Sequence, residues 1–211
     1  MPLVAAYYRP DSLDEALSLL AEPNRIPLAG GTVVNADRTL SELEVVDLQL
    51  LGLDTIEADN DRVHIGATAT LAAVAESSLV PEALRSIARR EAPSSLRTRA
   101  TIGGTVAVAD RDSVLLAALL VHDAHVTLAG TDDRPLAELL ESGVPAGAII
   151  TGVAIDASGS TADAVTGRTP ADTPIVAAVA RRSADDVRLA LTGVASTPVL
   201  VDPADPTRGL E

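Results

Sequence analysis

"RATIGGT", residues 99–105, closes on the same Gly-Gly-Thr as "PLAGGT", residues 27–32. Each glycine pair follows a short apolar step. Glycine permits left-handed backbone and carries no Cβ, so a ligand can come close to main-chain N–H groups. Successive N–H groups in such a turn form a nest for an anion, and a diphosphate suits it. Thr32 and Thr105 add a hydroxyl beside each pair. Taken singly, each pair is a structural bend, because paired glycines mark turns in general. Taken together, the two read as halves of one cradle. No GxGxxG occurs, so a Rossmann dinucleotide site is not indicated.

Outward from these turns, helices and strands mix along the chain. "YYRPDSLDEALSLLAE" reads as a helix capped by Asp11 or Ser12, with Leu13, Ala16, Leu17 and Leu20 as its apolar stripe. "RIPLAGG" is a short strand running into the first turn, and "LEVVDLQ" and "RVHIGATAT" are strand-like. "TLAAVAESSLV" and "PEALRSIARREA" are helical, with Pro81 at a favourable first-turn position. After the second turn, "VAVADRD" reads as extended, and a buried helix follows, capped by Asp112 or Ser113. "HVTLAG" is a strand, "RPLAELLESG" a helix closed by Gly143, and "AIITGVAID" a strand. "SGSTADAVTGRTPAD" is a loop or irregular strand, "PIVAAVARR" a helix or strand, and "DVRLALTGVASTPVLV" one or two strands broken at Gly193. Strands in both halves point to α+β and not to a doubly wound sheet.

Composition narrows the chemistry. The chain has 211 residues and a formal net charge of −14. That balance argues against nucleic acid, whose binding needs a basic stripe. The nearest basic cluster, "SIARREAPSSLRTRA" at residues 86–100, carries four Arg and reads as a solvated surface. All 16 basic residues are Arg, which excludes a Walker-type phosphate loop and a Schiff-base lysine. Without Cys there is no disulfide, thiol nucleophile or cysteine-ligated metal centre. Hydrophobic residues make up 47%, yet Tyr7 and Tyr8 are the only aromatics, so the core is built from Leu, Val, Ile and Ala. The start turns charged too soon for a signal peptide, and no apolar run is long enough for a membrane span. The expectation is a soluble, cytoplasmic protein.

Other polar groups carry less. His122 and His125 flank Asp123 in "VHDAH", and two His three apart on a helix can share a metal. No third ligand accompanies them, so a structural role is the stronger reading. Asp185 and Asp186 read as a turn with local Arg partners; Arg168 and Asp172 read as an ion pair or as residues lining a ligand.

The order of these segments resembles the FAD-binding medium subunit of molybdenum hydroxylases, the carbon monoxide dehydrogenase and xanthine dehydrogenase family, along nearly the whole chain. "PLAGGT" is similar to that family's first FAD turn, "RVHIGATATLAAVAES" to its "IGA.tTl" segment, and "SLRTRATIGGT" to its second turn, usually IRN-x-ATIGGN. "GRTPADTPIVAAVARR" and "RLALTGVASTPVLV" resemble the start of its C-terminal domain. The resemblance implies an FAD-binding domain over residues 1–155, made of two subdomains with a boundary near 60–100, and a shortened C-terminal domain over 156–211. It implies FAD held noncovalently, with Ala29, Gly30, Gly31, Thr32, Val33 and Val34 in the first turn and Thr101, Ile102, Gly103, Gly104 and Thr105 in the second. It further implies two partners, a molybdopterin-containing large subunit and an iron–sulfur small subunit. Electrons pass from their centres through the flavin to an external acceptor. Flavin chemistry belongs to the cofactor, so no catalytic side chain is nominated.

The chain departs from the family pattern at several positions. Val33 stands where the family has Asp, and Thr105 where it has Asn. Arg111 and Val114 fall where Pro and an FAD-contacting Asp are usual, with Asp112 able to serve after a shift. The Lys that often precedes the "GR" segment is absent. A second reading follows from these departures: a flavin-free or weakly flavin-binding structural or assembly subunit.

Overall fold

The computed structural model describes residues 4–36, 43–131, 133–167, 174–184 and 186–207. It is α+β, with one parallel and two antiparallel sheets. β1 (Ala6–Tyr8), α1 (Leu13–Leu20), β2 (Arg25–Leu28) and β3 (Glu44–Asp47) build the parallel sheet, in the order β1-β3-β2. Of the two candidate caps for α1, Ser12 serves: its Oγ accepts from the Glu15 N–H. Ala16 and Leu20 then bury against Val46, Leu48 and Ile149. Pro27 is tolerated because β2 is an edge strand. Both aromatics are tied here, Tyr7 to the Asp47 carboxylate and Tyr8 to Glu44 at 3.1 Å. Parallel sheets offer ligand sites at their carboxyl ends, and at this edge β2 runs into the first glycine turn.

β4 (Ile56–Asp59) and β5 (Arg62–Gly66) form a hairpin around Asn60 and Asp61, with Asn60 at φ 53°. There follow α2 (Leu71–Glu76), α3 (Glu82–Glu91), α4 (Ser94–Arg97), α5 (Ile102–Val108) and α6 (Val114–Val121). β6 (His125–Leu128), β7 (Arg134–Pro135), α7 (Leu136–Ser142) and β8 (Ile150–Asp156) complete an antiparallel sheet in the order β4-β5-β8-β6-β7. The expected extended stretch after the second turn is instead the helix α5, with Ile102, Gly103 and Val106 buried. α6 is apolar all round and every one of its residues is buried, as such a helix must be. Ser113, not Asp112, caps it, accepting from the Leu116 N–H at 3.0 Å.

β9 (Ser160–Thr166), β10 (Val176–Arg182), β11 (Val187–Thr192) and β12 (Val199–Val201) form the third sheet, antiparallel, in the order β12-β11-β10-β9. It lies on α6 through Ala177, Val179 and Ala190. "PIVAAVARR", open between helix and strand in the sequence, is the strand β10. Sheet membership changes between Asp47 and Ile56 and again between Asp156 and Ser160. The first of these lies ahead of the 60–100 stretch. Among the described residues no helix is long and apolar enough to cross a membrane.

Candidate functional site

The first glycine turn leaves β2 at Leu28. Gln49 Nε2 donates to the Ala29 carbonyl at 3.4 Å and so joins the turn to the end of β3. Gly30 is buried, and a Cβ there would overlap the carbonyl oxygen of Arg99. Gly31 sits at φ 67°, the left-handed conformation that glycine adopts without penalty. From Gly31 the chain coils once: its carbonyl accepts from Asn35 N–H at 3.0 Å, and Val33 carbonyl from Ala36 N–H at 3.0 Å. The N–H groups of Gly30, Gly31, Thr32, Val33 and Val34 have no acceptor among the described residues. This is an open run of donors at the carboxyl edge of a parallel sheet.

The second turn is built differently. Thr101 caps α5, its Oγ1 accepting from Gly104 N–H at 3.1 Å. Ile102 N–H donates to Ala69 O at 3.0 Å and Gly103 N–H to Ala67 O at 2.9 Å. The N–H and hydroxyl of Thr105 both go to the Thr101 carbonyl. These donors are committed to the chain itself, so the expected second anion nest is not open. A Cβ on Gly103 would lie 2.8 Å from both Cβ and O of Ala67. Gly103 therefore permits close packing of α5 on the 65–71 segment. Gly104 differs: a Cβ there would meet only Thr101 Oγ1, at 3.0 Å.

The two turns touch. Besides the Gly30–Arg99 main-chain contact, Arg99 Nε donates to Gly30 O at 3.4 Å. One element of the expected cradle thus supplies free N–H groups, and the other backs it. Such a donor set, with the Thr32 hydroxyl and a guanidinium alongside, suits a phosphate-bearing ligand.

Asp112 stands elsewhere in the bonding pattern. Its N–H goes to Asp110 Oδ1 and its carboxylate lies 3.6 Å from Arg111 Nε. Arg111 in turn exchanges main-chain and side-chain bonds with Gly193, so this loop is tied to the C-terminal sheet. Val114 is the first residue of α6 and buried.

The histidines are engaged in the frame. His122 is buried, with Nδ1 2.7 Å from Asp156 O and Nε2 2.9 Å from Thr161 Oγ1. His125 Nδ1 lies 3.0 Å from Asp123 O. Asp123 and Asp186 both accept from Arg188. Arg168, Asp172 and Asp185 lie outside the described residues. Sequence reasoning missed Arg99 and the Asp156–Arg181 pair. Arg181 is buried and meets Asp156 at 2.5 Å, Ser158 O at 2.9 Å and Val121 O at 3.2 Å. The sequence signal for it was an Arg inside an alternating apolar strand.

Comparison with known proteins fits this geometry. A family model described as the FAD binding domain in molybdopterin dehydrogenase matches residues 3–155. The protein YgfM of Escherichia coli K12 is 32% identical over 199 residues, covering 92% of this chain and 76% of its own length. Among solved structures, a Cu,Mo-CO dehydrogenase in its cyanide-inactivated form superposes with a TM-score of 0.84 at 25% identity, over 95% of this chain and 78% of the other. A carbon monoxide dehydrogenase from Hydrogenophaga pseudoflava shares the fold, with a TM-score of 0.88 at 23% identity over 97% and 80%.

Proposed function

The chain belongs to the family of FAD-binding domains of molybdopterin dehydrogenases, and we propose that it is the flavin subunit of a molybdenum hydroxylase complex in the cytoplasm. In this reading it works with a molybdopterin-containing large subunit and an iron–sulfur small subunit, carrying electrons from iron–sulfur clusters to an external acceptor. The family's cofactor is FAD, and the matched solved structures include subunits of molybdenum-containing CO dehydrogenase. FAD supplies a two-electron centre when bound; the protein's part is to hold and orient it.

One observation carries the reading: the open N–H run of Gly30 to Val34, set against the second Gly-Gly turn. Ala29 to Val34 are the residues we assign to the diphosphate. Gly104 and Thr105 are the accessible part of the second turn, while Thr101, Ile102 and Gly103 are buried and hold its shape. Asp112 would act from the loop joined to Gly193, on a different part of the ligand. We read residues 1–155 as the FAD-binding unit and 156–211 as the C-terminal unit. The commitment of the second turn's donors favours the alternative of weak flavin binding by a structural subunit.

The test is direct. Purified protein is examined for flavin absorbance, and the apo form is titrated with FAD. Uptake of one FAD per chain, lost in Gly104→Val with the fold intact, supports the reading. No uptake by the wild type removes it in favour of the structural subunit. Co-purification of a molybdopterin chain and an iron–sulfur chain from the native source tests the partners.

A further inference from the structure

We infer that Arg99 is a cationic contact for the diphosphate bound at the first glycine turn, an inference that rests on the FAD reading. The residue that the family motif selects is a different one. In "SLRTRATIGG" the motif's arginine corresponds to Arg97, and Arg99 falls at its unspecified position. Arg97 is spent on structure: Nη1 donates to the carbonyls of Arg89 and Ala92 and closes the end of α3.

Arg99 is placed otherwise. Its own N–H donates to Leu96 O at 2.9 Å, and its carbonyl fills the space beside Gly30, so its main chain is fixed against the first turn. Nε reaches Gly30 O, which holds the base of the guanidinium at that turn. Among the described residues the terminal nitrogens Nη1 and Nη2 have no partner, and no described carboxylate lies within 4.0 Å. In a chain of net charge −14 this is unusual company to keep. Arg9, Arg25, Arg85, Arg89, Arg90, Arg111, Arg181 and Arg188 each have an acidic partner.

Among the described residues Arg62, Arg134 and Arg182 also lack a carboxylate partner, but none of them has a bond to a glycine turn. Among the described arginines, Arg99 alone combines an uncommitted fork of donors with a position against the free N–H run. A planar guanidinium pairs with phosphate through two parallel bonds, and neutral N–H groups beside it add geometry without charge. The pattern also answers a chemical problem. A diphosphate brings negative charge to a strongly acidic protein, and the Lys that often precedes the "GR" segment in the family pattern is absent here. Arg99 supplies a positive charge at the point of contact.

The experiment is an FAD titration of the apo protein at several salt concentrations, for wild type, Arg99→Gln and Arg99→Lys, with thermal unfolding of each apo form. The inference expects Arg99→Gln to bind about tenfold to a hundredfold more weakly. It also expects a shallower salt dependence and an unchanged apo melting temperature. Arg99→Lys should recover part of the affinity, since it keeps the charge and loses the fork. Affinity of Arg99→Gln within twofold of wild type overturns the inference and leaves the FAD reading standing. Loss of affinity in step with loss of apo stability also overturns it, because the side chain would then be acting on the turn alone. Failure of wild type to bind FAD at any salt overturns the functional reading itself, and this inference with it.

Discussion

His122 donates through Nδ1 to the main-chain carbonyl of Asp156 at 2.7 Å, and that contact fixes its tautomer. A carbonyl can only accept, so Nδ1 carries the proton and Nε2 accepts from the Thr161 hydroxyl at 2.9 Å. The ring therefore joins the end of β8 to β9 in its neutral form. Burial lowers its pKa from the ordinary 6.5, and the nearby Arg181 adds to this, while the Asp156 contact opposes it. As pH falls below 6.5 the unfolded chain takes up a proton that the folded chain does not accept until the lowered value. Stability falls across that window. His122→Asn should flatten this limb of the stability–pH curve and weaken the fold at pH 7 by roughly 1–3 kcal/mol. Urea unfolding between pH 7 and 5 measures both effects; an unaltered slope in the variant rules this account out.

Asp156 bears the second link of the same junction. Burial works to raise its carboxyl, but hydrogen bonds from Arg181 and Ser158 prevail and bring it from 3.8 down to about 2. The stability this contributes is complete above pH 3.8 and is lost as pH falls through about 2. Arg181→Met should return the carboxyl toward 3.8, as read by carboxyl NMR titration. It should also destabilise the protein by about 3 kcal/mol, because Val121 O and Ser158 O lose their donor as well. A titration midpoint that stays near 2 in the variant would show that Ser158 alone sets it.

The glycines of the two turns should separate by role. Gly30→Ala drives a Cβ into the Arg99 carbonyl, main chain against main chain, so the turns must part. A loss of roughly 2–4 kcal/mol is expected in denaturant unfolding of the apo protein. Gly104→Ala adds a methyl that meets only Thr101 Oγ1, and it gains helix propensity at the third position of α5. Its stability should stay within about 1 kcal/mol of wild type. Equal losses in the two variants would contradict the packing described for Gly30.

Much of this arrangement is legible in the residues. Ser12 before an acidic first turn, the β-branched strands and the recurring Gly-Gly-Thr mark the elements and bring the two turns together. What is not legible follows from tertiary context. "IGGTVAV" has the β-branched and glycine content of an extended stretch, yet the Thr101 cap and burial against β5 and β8 make it helix. "PIVAAVARR" is too short for periodicity to decide, and pairing on both sides with β9 and β11 settles it as strand. β4 has one strong apolar residue, Ile56, and only the Asn60-Asp61 pair before "RVHIG" signals the hairpin. The glycine pairs suggest ligand approach, but Gly30 and Gly103 answer to neighbouring main chain, a contact between segments far apart in sequence.

The last expectation concerns Glu91, which ends α3 and reaches the start of α6. Its carboxylate accepts from the Ser113 hydroxyl and, at 3.0 Å, from the Leu115 N–H, so it caps a helix that it does not belong to. A negative charge suits a helix N-terminus. Burial nevertheless raises its pKa above the ordinary 4.5; the bonds from Ser113 and Leu115 only partly offset this, and Asp110 adds to the rise. The folded chain then takes up the proton before the unfolded chain does as pH falls. Stability from this group rises from the folded pKa down to 4.5 and is level below it, opposite in sign to the His122 contribution. Glu91→Gln keeps an oxygen for the Leu115 N–H and offers its amide to Ser113 Oγ. It should stay within about 1 kcal/mol of wild type at pH 7 and lack the rise on acidification. Glu91→Ala removes both bonds at the entry to the most buried helix of the fold and should lose roughly 2–3 kcal/mol. Unfolding free energies at pH 7, 6 and 5 in the His122→Asn background isolate the Glu91 limb. A Glu91→Gln curve that still climbs toward pH 5 in that background assigns the rise to another carboxyl.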